Sequence, residues 1–417
     1  MKRVALSIAV LVLAVVTGGP AAQYIGYVID AQTGKPIAGA IISTASHEWR
    51  TDQRGAFRTD DSAGDVVRVR AYGYRRSQIA LERLRRRDAQ LSLEPFRPKA
   101  LYLSMFGVGN AALRGAALRL ADTTEINALV IDVKGDRGLI AYRTADPLAA
   151  GVGAQKIITI SDPRGLVEQL HARGLYTIAR IVVFKDDRLA SARPDLAVRR
   201  RDGSIYRDRE GLAWADPFSR DVWSYNIGVA VDAARAGFDE IQFDYVRLPD
   251  AQGLAWPVQT EVGRRGAVEG FLRAARTALV PYNVFLAADV FGYICWNTND
   301  TGIGQHLENM AGVVDYLSPM LYPSSFQFGI PGYRNPVLHP YDIVRRSIEE
   351  ALRRTRAPAV RFRPWLQAFP DYAFGAGSFR NGEVRRQIDA ADDVGTAGWM
   401  LWNPHNRYQA SDLDAGD

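Results

Sequence analysis

Downstream of Lys99 the chain alternates short apolar runs with amphipathic stretches eight times over, and no other feature limits its fold as strongly. The runs occupy 101–106, 128–133, 176–184, 239–246, 284–290, 315–321, 361–369 and 398–402. Amphipathic helical patterns fall near 111–121, 163–172, 220–236, 262–279, 303–310, 341–354 and 381–392. Runs that are largely apolar at successive positions fit strands covered on both faces, as in a parallel sheet wrapped by helices. Eight such units over roughly 310 residues predict an α/β fold, a (β/α)8 TIM barrel with loop insertions, over 97–417. A doubly wound open sheet is the alternative, but no G-x-G-x-x-G opens a helix, which argues against a dinucleotide fold.

The region before the barrel reads differently. Strands over 24–30, 40–44 and 66–71, with a turn over 51–57 that enters a further strand, are punctuated by Gly, Pro and Asp, the pattern of a small antiparallel sandwich. Gly26, Val28, Asp30, Thr33, Gly34, Pro36, Ile37, Gly39 and Ala40, then Thr51, Asp52, Gly55 and Phe57, then Gly73 and Tyr74 form a string that resembles the carboxypeptidase regulatory-like family. That resemblance implies a transthyretin-like all-β sandwich over 23–96. Most of these residues are turn and core positions, so the module is expected to hold or position the larger domain.

Residues 1–22 read as a secretory signal peptide: Lys2 and Arg3, a mostly apolar run over 4–16, then Gly18, Gly19, Pro20, Ala21 and Ala22. The run is well short of the roughly 20 residues that a spanning helix needs. No stable membrane span is expected after cleavage, and the destination is the periplasm or the exterior. The absence of a cysteine after the run argues against a lipid anchor, and the one cysteine, Cys295, excludes an intramolecular disulfide framework. Net charge is +6, yet only six of the 52 basic residues are lysine. The densest arginine runs, 83–87 and 199–201, have acidic neighbours and no nucleic-acid-binding signature, so a solvated surface is expected and nucleic acid is not an expected partner.

Chemistry in such barrels gathers at the C-terminal ends of the strands. Reading those ends selects Asp132, Lys134, Arg180, Arg247, Tyr322, Gln367, Trp402 and Asn403, with Trp214 as a further ring, as substrate-binding residues. Asp244 and Asp289 are the candidate catalytic pair. In 240–247 the alternation puts Ile241, Phe243 and Tyr245 against the helices and turns Gln242 and Asp244 inward. The next strand repeats this with Phe285, Ala287 and Asp289. Adjacent strands lie about 4.8 Å apart, so the two carboxyls can stand roughly 5–6 Å apart, the separation of retaining glycosidases. Asp244 is expected to act as nucleophile and Asp289 as acid/base. A lone strand-end aspartate more often caps a helix or pairs with an arginine, and Asp244 with Arg247 is such a candidate ion pair. No cofactor or metal is expected: His171 and His306 lie in helical stretches, and Asp186 and Asp187 lack His or Cys partners.

The strings V-I-D-V-K at 130–134, F-D-Y-V-R-L-P at 243–249, A-D-V-F-G at 288–292 and P-M-L-Y-P at 319–323 resemble a bacterial family of glycoside-hydrolase-like TIM-barrel domains. The likeness runs from about Lys99 to near Tyr408. Leu248 stands where an aromatic residue is expected, a departure that touches packing. The resemblance implies hydrolysis of a poly- or oligosaccharide. The reading that follows is an exported glycoside hydrolase using two carboxylates. The alternative is a non-catalytic carbohydrate-binding or envelope-scaffolding protein on a degenerate barrel, and a metal-dependent deacetylase lacks a His-rich ligand set. Oligomeric state is left open.

Overall fold

A computed structural model describes residues 23–44, 47–60, 66–84, 89–375 and 382–416. The expected signal peptide therefore lies outside the described residues. Among the described residues no helix is long and apolar enough to cross a membrane.

The first seven strands are β1 (Gln23–Asp30), β2 (Ile41–Ser43), β3 (Glu48–Arg50), β4 (Ala56–Asp60), β5 (Val66–Arg70), β6 (Ser77–Ala80) and β7 (Ala89–Leu93). They form a three-stranded sheet, β4-β1-β7, and a four-stranded sheet, β3-β2-β5-β6. Val28, Phe57 and Leu91 from one sheet pack against Ile42, Val67 and Val69 from the other, so the module is a small sandwich. As the sequence predicts over 51–57, a turn leads into a strand, and it separates β3 from β4. Gly55 makes that turn at φ +69, and a Cβ there would meet the Val28 carbonyl oxygen at 2.5 Å. Strands β3, β6 and β7 go unforeseen: β3 and β6 contribute no buried residue, and β7 sets only Leu91 and Leu93 into the core between polar neighbours.

Eight strands follow: β8 (Lys99–Leu103), β9 (Ala128–Lys134), β10 (Tyr176–Val182), β11 (Glu240–Asp244), β12 (Phe285–Phe291), β13 (Tyr316–Met320), β14 (Trp365–Gln367) and β15 (Trp399–Trp402). Each pairs in parallel with the next, and β15 pairs with β8 to close the barrel. The long helices Ala111–Thr123, Pro163–Ala172, Arg220–Ala236, Glu261–Leu279, Pro340–Thr355 and Glu383–Val394 cover the outside. Their starts are written locally: Asn110, Asp162, Ser219 and Thr260 each accept a hydrogen bond from a free N–H of the first turn. The predicted first strand is shifted, since Ser104 caps the short helix Met105–Gly109. The predicted seventh strand shrinks to three residues, preceded by a 3-10 turn at Ala359–Arg361 and by Pro364, which lacks an N–H for the ladder.

Alternate strand residues fill the interior, among them Tyr102, Val130, Ile178, Ala287, Trp365 and Met400. The floor holds a fully buried ion pair: Arg363 Nη1 donates to both Glu240 carboxylate oxygens at 2.7 Å, and the Tyr176 hydroxyl adds a third bond at 3.0 Å. Beneath the floor sits the sandwich. Tyr72 and Phe96 pack against the interior cluster, the Gly73 N–H donates to the Tyr316 hydroxyl, and Arg76 bonds Asp239 and the Gly237 carbonyl. Arg70 reaches Glu48 and Asp315, while Arg276 reaches the same two carboxylates from the barrel side. The module thus seals the N-terminal mouth, opposite the loops that follow the strands.

Burial by itself would push the Asp315 carboxyl up, but Arg70 and Arg276 hold it below the usual carboxylate range. A lowered native value stabilises above the unfolded-state pKa and is lost as pH falls. Asp315→Asn, which removes the buried one of the two carboxylates that Arg70 and Arg276 share, is expected to cost about 3–5 kcal/mol near neutrality. Unfolding followed against pH is expected to show the gap to wild type narrowing toward acid; a constant gap would show that the charge contributes nothing.

Candidate active site

At the opposite mouth the strand ends converge on one guanidinium. Arg180, pointing inward from β10, donates through Nη1 to Asp132 Oδ1 at 2.6 Å. Its Nε and Nη2 donate to Asp244 Oδ2 at 3.0 and 2.5 Å. Its Nε also lies 3.9 Å from Asp289 Oδ2. The aspartates come from β9, β11 and β12, with β10 between the first two, so one cation serves three carboxylates in a nearly dry site. Burial tends to discharge Arg180, yet Asp132 and Asp244 keep its pKa well above the ordinary value. Three anions around one cation are costly away from water, and the carboxylates divide the proton load unequally.

Asp289 bears most of it. Its Oδ1 accepts from the Trp365 indole N–H at 2.8 Å, whereas Oδ2 has no hydrogen-bond partner. Burial first, then the charge of Asp244, pushes its carboxyl well above the usual range, against the opposing pull of Arg180. Asp132 is also raised, by burial above all, although Arg180 and the Tyr102 hydroxyl, 2.5 Å from Oδ2, oppose the shift. Asp244 is the most fully solvated by protein donors: besides Arg180, the Tyr245 N–H donates to its Oδ1 at 2.5 Å. The arrangement therefore favours the protonated form of Asp289 and gives Asp244 the fuller set of hydrogen-bond donors. Their Oδ2 atoms can be no further apart than the sum of their 3.0 and 3.9 Å distances to Arg180 Nε.

A cavity of about 190 Å³ opens above, lined by Arg180, Asp244, Tyr245, Arg247, Phe291, Met320, Tyr322, Trp365 and Trp402. Trp402 stacks on Tyr102 with centroids 4.0 Å apart, and the Arg180 guanidinium lies 4.9 Å from the Trp402 ring centre. Burial and the two aspartates keep the Tyr322 phenol protonated far above its ordinary range.

Of the residues predicted from sequence, Arg180, Asp244, Arg247, Tyr322 and Trp402 line the cavity, and Asp132 and Asp289 lie buried behind it beside Arg180. Asp244 pairs with Arg180 instead of Arg247, whose guanidinium rests 5.0 Å from the rings of Trp214 and Tyr245. Four others do not reach the cavity. The β9–β10 register shifts after Asp132, so Lys134 turns outward, wholly buried, bonding the Val182 carbonyl at 2.7 Å and Asp186 at 2.7 Å. Trp214 is buried one layer back, donating to Asp208 and packing edge-on against Tyr245. Gln367 spends its amide on the Ser324 backbone N–H, the Ser324 hydroxyl and the Phe369 carbonyl. Asn403 fastens a loop through the Ala368 and Arg407 carbonyls and faces a separate crevice.

Tyr102, Tyr245 and Trp365 go unforeseen. Two-residue steps from Gln367 and along β8 point Trp365 and Tyr102 inward, but neither carries a charge to single it out. Tyr245 is assigned outward by strict alternation. Instead β11 ends at Asp244, and Tyr245 adopts φ +47, which swings it to the cavity.

Residues 100–408 match the family described as "putative glycosyl hydrolase domain", and the chain belongs to that family and with it to the glycoside hydrolases. Among solved structures it is similar to a hypothetical protein from Ruminiclostridium thermocellum, at 36% identity and TM-score 0.41, over 46% of this chain and 97% of that one. It is also similar to the PgaB (BpsB) glycoside hydrolase domain from Bordetella bronchiseptica, at 15% identity and TM-score 0.56, over 77% of this chain and 99% of that one. A class V chitinase from Pseudomonas fluorescens matches at 12% identity and TM-score 0.46, over 75% of this chain and 97% of that one. No curated protein matches.

Asp289 supplies a stability test. A carboxyl whose native pKa is raised loses stability as pH climbs from the unfolded value through the native one. Asp289→Asn, similar in shape and uncharged, is expected to match wild type in acid and to be more stable above that window by about 1–3 kcal/mol. Denaturant unfolding at several pH values reads this; a variant less stable than wild type throughout contradicts the proton placed on Asp289.

Proposed function

We propose that the protein is an exported hydrolase of poly- or oligosaccharides that works by a retaining, two-carboxylate mechanism. One observation carries the reading: two aspartates on adjacent strands share one arginine but have unlike environments, Asp244 ringed by donors and Asp289 with a bare, buried oxygen. That contrast is how paired carboxyls divide into base and acid. Asp289 gives its proton to the glycosidic oxygen as the C–O bond breaks, and Asp244 forms the bond to the anomeric carbon. Water then gives a proton to Asp289, and its oxygen displaces Asp244. Arg180 holds Asp244 through its Nε and Nη2, and Asp132 with Tyr102 holds Arg180 in place. Because the Asp289 carboxyl lies beneath Trp365 and Arg180, turnover requires sugar entry to uncover it. The leader-like pattern of residues 1–22 supports export.

Purified protein is expected to release reducing sugar from a polysaccharide panel. Asp289→Asn is expected to lower the rate by about 10²–10⁴-fold and to abolish the alkaline fall in rate that deprotonation of Asp289 imposes. Asp244→Asn is expected to be inactive. Unchanged turnover in both variants overturns the assignment.

A further inference from the structure

Four aromatic side chains are exposed among the described residues: Phe106, Phe291, Phe328 and Tyr372, at 53, 36, 92 and 63%. All four stand at or beyond the C-terminal ends of barrel strands, β8, β12, β13 and β14, and none lies on the sandwich or on the long covering helices. Single exposed apolar residues are ordinary, but their confinement to one rim is not.

The rings form two files that start in the cavity wall. From Phe291 one runs to Tyr293 at 5.8 Å and on to Phe328 at 6.3 Å. From Tyr322 the other runs to Phe369 at 5.4 Å and on to Tyr372 at 6.2 Å, the last two within 16° of parallel. Both outer rings sit on pinned backbone. The Phe328 N–H donates to the Tyr293 hydroxyl at 2.9 Å, and Gly329 turns at φ +70 against the Tyr333 carbonyl, where a Cβ would approach to 2.4 Å. The N–H groups of Ala373 and Phe374 donate to Asp371, which also takes the Ser324 hydroxyl proton at 2.7 Å. Their exposure is therefore held by the fold.

We propose that these two files, which leave the cavity wall along the adjacent β12, β13 and β14 ends, are sugar-binding subsites for an extended polymer of equatorially linked pyranoses. The proposal rests on the hydrolase reading for its substrate class and on the rings alone for binding. A pyranose with equatorial substituents presents flat C–H faces that lie well on an aromatic ring. Equatorial linkages keep successive rings in a ribbon, so that one chain meets both files; an axially linked chain coils away from them.

Affinity electrophoresis of Asp244→Asn protein through gels holding hydroxyethylcellulose, glycol chitin or soluble starch tests this. Retardation by at least one of the two ribbon polymers is expected, with starch weaker. Phe328→Ala and Tyr372→Ala, added singly, are expected to weaken it by about two- to tenfold without changing the unfolding temperature. No retardation by either ribbon polymer, or retardation that both alanine variants leave intact, overturns the subsites. Ring-dependent binding in a wild-type protein that hydrolyses nothing supports the subsites and overturns the hydrolase reading. Turnover that needs both aspartates but ignores both rings overturns the subsites alone.

Discussion

Closing eight parallel strands into a cylinder removes every free edge and leaves an interior that only alternate residues can enter. Each inward position must then be apolar or find a partner at its own level, because no water layer is available to solvate it. The lower and middle levels obey this with Tyr176, Phe285, Tyr316, Ile178, Ala287 and Met400 around the Glu240–Arg363 pair. That pair is balanced: one anion, one cation and a tyrosine hydroxyl, with further support from the Ala397 carbonyl on Arg363 Nε.

The upper level breaks the balance. Arg180 there meets Asp132, Asp244 and Asp289, and among the described residues no second cation lies within ion-pair distance of them. The same chemistry that makes the floor rigid makes the mouth responsive, since its charge is settled only by leaving protons on carboxyls. Aromatic residues shape what remains. Tyr102 and Trp402 back the guanidinium, Trp365 anchors Asp289, and Tyr245, packed against Trp214 and Arg247, donates its N–H to Asp244. Stability is given up at this end to hold two carboxyls in different states.

The barrel is legible in the sequence because each of its strands repeats the same burial pattern, and Asp132, Arg180, Asp244 and Asp289 are legible because they are the charged residues on inward positions near strand ends. Parity fails where strands stop being regular. The register shift after Asp132 turns Lys134 away, and the left-handed residue after Asp244 turns Tyr245 in. Gln367 and Asn403 mislead for another reason: their amides satisfy loop backbone, a use that leaves no mark in a single sequence. The weakest strands of the sandwich, β6 and β7, were hidden because their short, half-polar segments carry little periodicity.

The sandwich joins the barrel through salt links and two rings on the face remote from the mouth, with Arg70, Arg76 and Tyr72 forming the seam. The carboxylate centre and the sandwich thereby lie at opposite poles of one cylinder. A tether or neighbour gripping the lower pole would leave the upper one facing outward, and changes in one end can accumulate without disturbing the other.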